Sequence, residues 1–337
     1  MRAVCPLLAV LVTASACGDG FRILDGYDTT RITRLGEGPV TAFRAAPDGS
    51  LFATVDGHLF RAAPADSPRW DAVAQLPFHA IEMHPASAQN VLFLPQLSVE
   101  IWEWEEGDGL AAWETPLSDS LIQDGHHTMR IPLVDIAGDG RHDVVAVGDR
   151  AAIVGSRENG WELEPNPLVA ISRLPAPEWF ASALWEVDSF GGRFYAANSS
   201  HLLTREQGTW RSMQLPEAAD PTRPMEGIAA TPDGVVVSFA GLDGRPRLFR
   251  FDGSRWIDLT SKVRSVEGSL VRGRAQADGS ALLWSLSRYV VEVRGADVRV
   301  FRVAALGAIR GAARSGADLY AGGTHEGQTG IVVRLTR

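Results

Sequence analysis

The sequence predicts an all-β fold, a seven-bladed β-propeller of four-stranded blades. Three observations predict it. A hairpin pattern recurs along the chain, a turn-and-strand pattern precedes each hairpin, and the copies stay 42 to 49 residues apart.

The hairpins come first. LFRAAPADSPRWDAVAQLP begins at Leu59, IWEWEEGDGLAAWETPL at Ile101 and IVGSRENGWELEP at Ile153. HLLTREQGTWRSMQLP begins at His201, LFRFDGSRWIDLT at Leu248 and VVEVRGADVRVFRVAAL at Val290. Each is an alternating strand, a polar turn rich in Gly, Asp or Pro, and a second strand, as a β-hairpin requires. The second strands open at Trp70, Trp113, Trp161, Trp210, Trp256 and Val298, at intervals of 43, 48, 49, 46 and 42 residues. These large residues are expected to sit between adjacent sheets.

Upstream of the hairpins lie PDGSLFATV at Pro47, AGDGRHDVVAV at Ala137, TPDGVVVSFA at Thr231 and ADGSALLWSL at Ala277. One more apolar strand precedes each of these turns, so a unit has four strands, the repeat expected of a propeller blade. A small twisted sheet that is apolar on both faces cannot bury them alone. In a ring, each sheet covers its neighbours.

Innermost strands are expected at 39–46, 79–84, 128–135, 179–187, 225–230, 269–275 and 308–313. The last unit lacks an outer strand. RITRL (31–35), near the other end of the chain, is the candidate that closes the ring beside IVVRL (331–335). The closing blade is then shared by N- and C-terminal segments. An alternative stays open, in which 21–35 supplies a whole hairpin and displaces IVVRL.

The net charge of −9 and the lack of a basic run argue against nucleic acid as a partner. Positive charge is almost all arginine, with Lys262 the single lysine. The two cysteines, Cys5 and Cys17, both lie in the first twenty residues, which leaves the rest of the chain without a thiol or disulfide.

Those first residues, MRAVCPLLAVLVTASACGDG, combine Arg2, an apolar run from Val4 to Thr13, and the small residues Ala14, Ser15 and Ala16 before Cys17. The run is too short for a permanent membrane span. The pattern resembles the lipobox of bacterial lipoprotein signal peptides, with Ala14 where leucine is usual. The resemblance implies cleavage after Ala16, lipidation of Cys17, and a membrane anchor exposed outside the cytoplasm. The expected organisation is a signal peptide at 1–16, a lipidated cysteine and tether at 17–29, and the propeller at 30–337. Plain secretion is the alternative.

VDIAGDGRHDVV (134–145) resembles the calcium loop of FG-GAP and VCBS propeller repeats. The resemblance implies a Ca2+ site formed by Asp135, Asp139, Asp143 and the carbonyl of Arg141. Hard cations take such oxygen ligands. Ala137 stands where a further carboxylate is expected, and a solvated Asp-Gly turn is the competing reading.

Loops that lead into innermost strands carry His79, His126, His127, Trp179, Arg223, Glu226 and Glu267. The longest are 116–130, 168–182 and 215–227, and long loops on a rigid scaffold tend to hold function. His126, Trp179 and Arg223 are candidate binding residues. His126 and His127 are adjacent and point to opposite faces of a strand, so they do not readily share one metal. No serine-hydrolase elbow, zinc-protease helix motif or P-loop occurs.

The sequence therefore reads as an exported, lipid-anchored propeller, a noncatalytic binding or scaffold module of a bacterial envelope that takes a protein or glycan. The alternative is an enzyme at the channel mouth, a hydrolase, lyase or quinone-dependent dehydrogenase, using His79, His127, Glu226 and Glu267.

Overall fold

A computed structural model describes residues 28–64, 68–117, 122–124, 127–129, 132–157, 160–169, 183–217, 219, 222–286, 288–325 and 329–336. It contains seven four-stranded antiparallel sheets, each with its strands in simple up-and-down order. Blade one comprises Val40–Ala45, Leu51–Val55, His58–Ala62 and Trp70–Gln75. Blade two comprises Ala80–Ser87, Asn90–Pro95, Ile101–Glu105 and Gly109–Trp113. Blade three comprises Leu133–Gly138, Val144–Gly148, Ile153–Arg157 and Gly160–Leu163. Blade four comprises Glu186–Phe190, Arg193–Ala197, Leu202–Glu206 and Thr209–Met213. Blade five comprises Met225–Thr231, Gly234–Ala240, Pro246–Phe251 and Trp256–Asp258. Blade six comprises Leu270–Ala275, Ala281–Ser285, Tyr289–Arg294 and Asp297–Arg302. First strands of successive blades touch around the ring, and the first strand of blade seven returns to that of blade one.

Blade seven joins the two ends of the chain. Ala308–Ser315, Asp318–His325 and Thr329–Thr336 are completed by Asp28–Gly36, which pairs Ile32 with Val333 and Arg34 with Ile331. RITRL thus supplies one strand and IVVRL keeps its place. The closing strand begins at Asp28, two residues before the expected boundary.

Two innermost strands start later than expected, at Leu133 and Glu186. In the first case His127–Met129 pairs locally with Ile122–Asp124 in a separate hairpin, so these residues are not available to the blade. In the second, Leu184 donates its N–H to the Gly148 carbonyl at 3.0 Å and links blade four to blade three before the strand begins.

The apolar core is divided into seven clusters, one between each pair of neighbouring blades. Second strands such as LFATV, NVLFLP and VVAVG are buried at every position, because both faces of the sheet are covered. That explains why they read as apolar runs rather than as alternating strands. Trp70, Trp161, Trp210, Trp256 and Val298 join these inter-blade clusters as expected. Trp113 does not. It is 40% exposed and donates Nε1–H to Glu103 at 2.8 Å. Trp104, 5% exposed, takes the place between blades one and two. Its own strand, Ile101–Glu105, has sheet on both sides, whereas Trp113 lies on an outer edge strand.

Innermost strands share one irregularity. In six of the seven blades the register shifts near the start, between Val40 and Ala42, Ala80 and Glu82, Leu133 and Asp135, Met225 and Gly227, Leu270 and Arg272, and Ile309 and Gly311. A β-bulge turns the strand and re-aims the side chains that follow it. Those side chains form the lining of the axis.

Candidate functional site

Each innermost strand has one edge without a partner strand, and its N–H groups need acceptors. Carboxylates supply them. Asp135 of blade three accepts from Ile136 N at 2.9 Å and from Val187 N of blade four at 2.8 Å. Glu186 accepts from Ile228 N of blade five and Gly273 N of blade six, each at 2.7 Å. Asp188 accepts from Ala230 N and Ala275 N of the same two blades, each at 2.7 Å. Blade four therefore reaches past blade five to blade six, and the axis is filled by side chains.

Arginines balance these carboxylates. Arg274 pairs with Asp135 and lies 3.5 Å from Glu82 and 3.9 Å from Glu186. Arg272 lies 3.5 Å from Asp135, and Arg44 pairs with Glu82. Buried charges persist only when paired and hydrogen-bonded. Burial pushes the Glu186 carboxyl up to about 8, against the pull of Arg272 and Arg274. Burial also pushes Asp188 up to about 6, opposed by Arg274. Arg44 falls to about 10 through burial and its neighbour Arg274. Burial works against the Arg274 charge, and Asp135 and Glu82 more than offset it, so its pKa is raised.

On the face where first and second strands connect, the axis opens into a cavity of about 670 Å3. Arg44, His84, Asp188, Arg274, Gln276 and Arg314 contribute polar walls. His84 donates Nε2–H to the Gly140 carbonyl at 2.9 Å. Burial lowers its pKa to about 4, so the ring is neutral at pH 7.

A larger groove, about 1390 Å3, lies between the outer strands of blades four and five. Tyr195, Met213, Leu215, Phe249, Phe251 and Trp256 form its apolar lining. The Asp252-Gly253 turn shapes one wall. Asp252 Oδ1 accepts from Ser254 N at 3.0 Å and Arg255 N at 2.9 Å, and Gly253 takes φ 89°. Those bonds, with that from the Ser254 hydroxyl, lower the Asp252 pKa to about 2. Trp256 packs at a tilt against Phe251, ring centroids 5.3 Å apart, and donates Nε1–H to the carbonyl of Gln214, just past the outer strand of blade four, at 3.0 Å. Both edges of the groove are thus tied to one indole.

The residues singled out from sequence are scattered. His79 and Glu267 are exposed, and Glu226 is half-buried. Glu226 sits in the bulge of blade five, where burial raises its pKa against a hydrogen bond from Ser269. His127 belongs to the short hairpin, and Cys17, His126 and Trp179 lie outside the described residues. Arg223 lines a separate pocket.

Side chains of the expected calcium loop take part in other contacts. Asp135 faces the axis and pairs with Arg274. Arg141 is drawn to Glu103 at 2.9 Å and Glu105 at 3.0 Å, and Asp143 to Arg205 at 2.8 Å. Asp139 N donates to the Asp143 carbonyl at 2.9 Å, which closes a plain turn. Among the described residues no group of three or more His, Cys, Asp or Glu converges in a way that could hold a metal ion.

Sequence reading missed the axial set of Arg44, Glu82, His84, Glu186, Asp188, Arg272 and Arg274. A signal was present. Glu82/His84 and Arg272/Arg274 are polar pairs two residues apart in predicted inner strands, and Glu186/Asp188 straddles the end of another, a spacing that places both members on one face.

No protein-family model matches the chain, and no curated protein does. Solved structures match it in fold. Virginiamycin B lyase from Staphylococcus aureus aligns with TM-score 0.64 at 11% identity, over 91% of this chain and 99% of that one. YCF48 bound to D1 peptide aligns with TM-score 0.61 at 12% identity, over 94% and 99%. The WD40 propeller domain of Doa1 aligns with TM-score 0.60 at 13% identity, over 93% and 98%. At such identities the likeness concerns architecture, and the chain is a seven-bladed β-propeller of four-stranded antiparallel blades.

Proposed function

We propose that the chain is an exported, lipid-anchored propeller that acts as a noncatalytic binding module in a bacterial envelope and holds a peptide or glycan segment between blades four and five. The groove of about 1390 Å3 carries this reading. It combines Tyr195, Phe251 and Trp256 with Arg193, Glu206, Arg211 and Glu217 along its edges. Aromatic faces with polar rims suit ligands that offer both apolar surface and hydrogen bonds. The leader ending at Cys17 supports the anchor.

Peptide and glycan arrays probed with the full chain test the groove, with Trp256→Ala as the control. Binding that disappears in the variant supports it, and a lack of any Trp256-dependent signal overturns it. Palmitate labelling of the parent and Cys17→Ala chains tests the anchor separately.

A second reading, acid–base chemistry at the axial cavity, is favoured by one observation. His84 and Asp188 both line that cavity, and their pKa values are displaced to about 4 and about 6. Displaced values inside a cleft mark candidate functional groups. A hydrolase and lyase substrate screen in which activity vanishes in His84→Ala supports this reading. Lack of His84-dependent activity removes it.

A further inference from the structure

The outer strand of every blade has one edge with no strand beside it, and such edges are ordinarily protected by charge. Six blades follow that rule. Their outer strands carry Asp71, Glu162, Arg211, Asp258, Arg299 and Arg34. Blade two departs from it. Its outer strand, Gly109–Trp113, reads GLAAW and holds no charged residue.

This strand pairs with Ile101–Glu105 along one side, from Glu105 with Gly109 to Ile101 with Trp113. Among the described residues nothing bonds to the backbone on its other side. Unpaired N–H and C=O groups there form a template for another extended chain. Ala111 and Ala112 are exposed and small, so a second backbone can approach them closely. Trp113 is half-buried at the end of the strand, and its bond to Glu103 holds the ring in place. An aromatic held in this way packs against side chains of a neighbouring strand.

The two ends of the strand select the occupant by charge. Glu103 and Glu105 are paired with Arg141, and Glu106 with Arg61. Asp108 and Glu114, which bracket the strand, are exposed and have no ion-pair partner among the described residues. Two copies of the strand centred antiparallel on Ala111 would set Asp108 opposite Glu114. Like charges directly opposite are destabilising. A segment with a cation at each end meets both carboxylates whichever way it runs.

We infer that the outer edge of blade two docks an extended segment of a partner protein as a fifth strand, with β-branched residues in its middle and lysine or arginine at both ends. Backbone hydrogen bonds supply the affinity and the end charges supply the selection. The edge lies apart from the groove between blades four and five and does not depend on its occupant.

Fluorescence anisotropy of the full chain in detergent tests the edge with a labelled peptide, Lys-Thr-Val-Thr-Val-Thr-Lys. Saturable binding is expected, at least tenfold tighter than for the same peptide with glutamate at both ends or with proline at its centre. Proline removes an N–H from the ladder, so that comparison reports strand pairing rather than charge alone. Ala112→Lys gives this edge the protection that the other blades carry and is expected to weaken binding at least tenfold without lowering the melting temperature. Asp108→Lys together with Glu114→Lys is expected to reverse the preference between the lysine and glutamate peptides, a readout that remains if Ala112→Lys disturbs the fold. Trp256→Ala is expected to bind as the parent does, and loss of the peptide in that variant would assign it to the groove and overturn the inference. No saturable binding of the lysine peptide by the parent overturns it as well. So does equal binding of the proline peptide, undiminished binding by a folded Ala112→Lys chain, an unchanged preference in the double variant, or self-association of the parent that Ala112→Lys abolishes.

Discussion

Arg274 of blade six closes its guanidinium on Asp135 of blade three across the propeller axis, though the two are 139 residues apart in the chain. Both side chains are almost wholly buried, and each has further partners. The pair sits where innermost strand edges would otherwise face one another unpaired. Removing either member leaves the other charge buried.

Asp135→Asn and Arg274→Met are therefore each expected to cost about 3–5 kcal/mol, the usual cost of stranding one member of a buried pair. Urea unfolding of the single and double variants checks this. The double variant should lose less than the two single losses combined, because the groups act as a unit.

Stability should fall as pH rises from about 6.5 to about 8, because burial raises the Glu186 carboxyl from 4.5 to about 8. A carboxyl with a raised folded pKa binds more protons folded than unfolded. Its contribution is complete below the unfolded pKa and lost as pH climbs through the folded one. Asp188 has the same sign but is finished by about pH 6. His84, lowered from 6.5 to about 4, has the opposite sign and adds stability as pH rises between those values. Glu186 alone of these three thus titrates between 6.5 and 8, and melts of Glu186→Gln across that window should be flat relative to the parent.

Trp104→Ala should cost about 3–5 kcal/mol, as large-to-small changes of a buried aromatic do. Trp113→Ala should cost less than about 1.5 kcal/mol, chiefly one hydrogen bond to Glu103. Chemical denaturation of the two variants separates the wedge from the edge residue.

Gly322→Ala tests closure of the ring. An added Cβ would stand 2.7 Å from the Phe43 ring, where blade seven meets blade one. Overpacking of this kind costs about 1–3 kcal/mol. A lower melting temperature is expected, and an unchanged one would mean that Phe43 moves aside freely.

Melting with calcium and with chelator tests the loop of Asp135, Asp139 and Asp143: an unchanged melting temperature is the outcome if the pairs of Asp135 with Arg274 and of Asp143 with Arg205 hold against the ion. A ligand-dependent rise would show that the Asp139 turn rearranges around the ion.

Much of the architecture was legible in the sequence because blades are local. Hairpins such as Leu248–Asp258 are written in neighbouring residues: alternation, an Asp-Gly turn, and an aromatic at the start of the outer strand. Ring closure by RITRL was legible for a related reason, since an incomplete last blade requires a strand and the N-terminal region offered one. Trp113 escaped because the hairpin pattern does not say which of its two strands will have a neighbour on both sides.

The chain by itself determined the four-stranded repeat, the turns between strands and the large residues that fill most inter-blade seams, and it favoured seven blades. Those features follow from contacts over a few dozen residues. Only the tertiary structure decided that Asp135 meets Arg274 and that Trp256 bridges two blades over a groove. Such relationships depend on how the ring brings distant blades together and on which charges are matched once water is excluded.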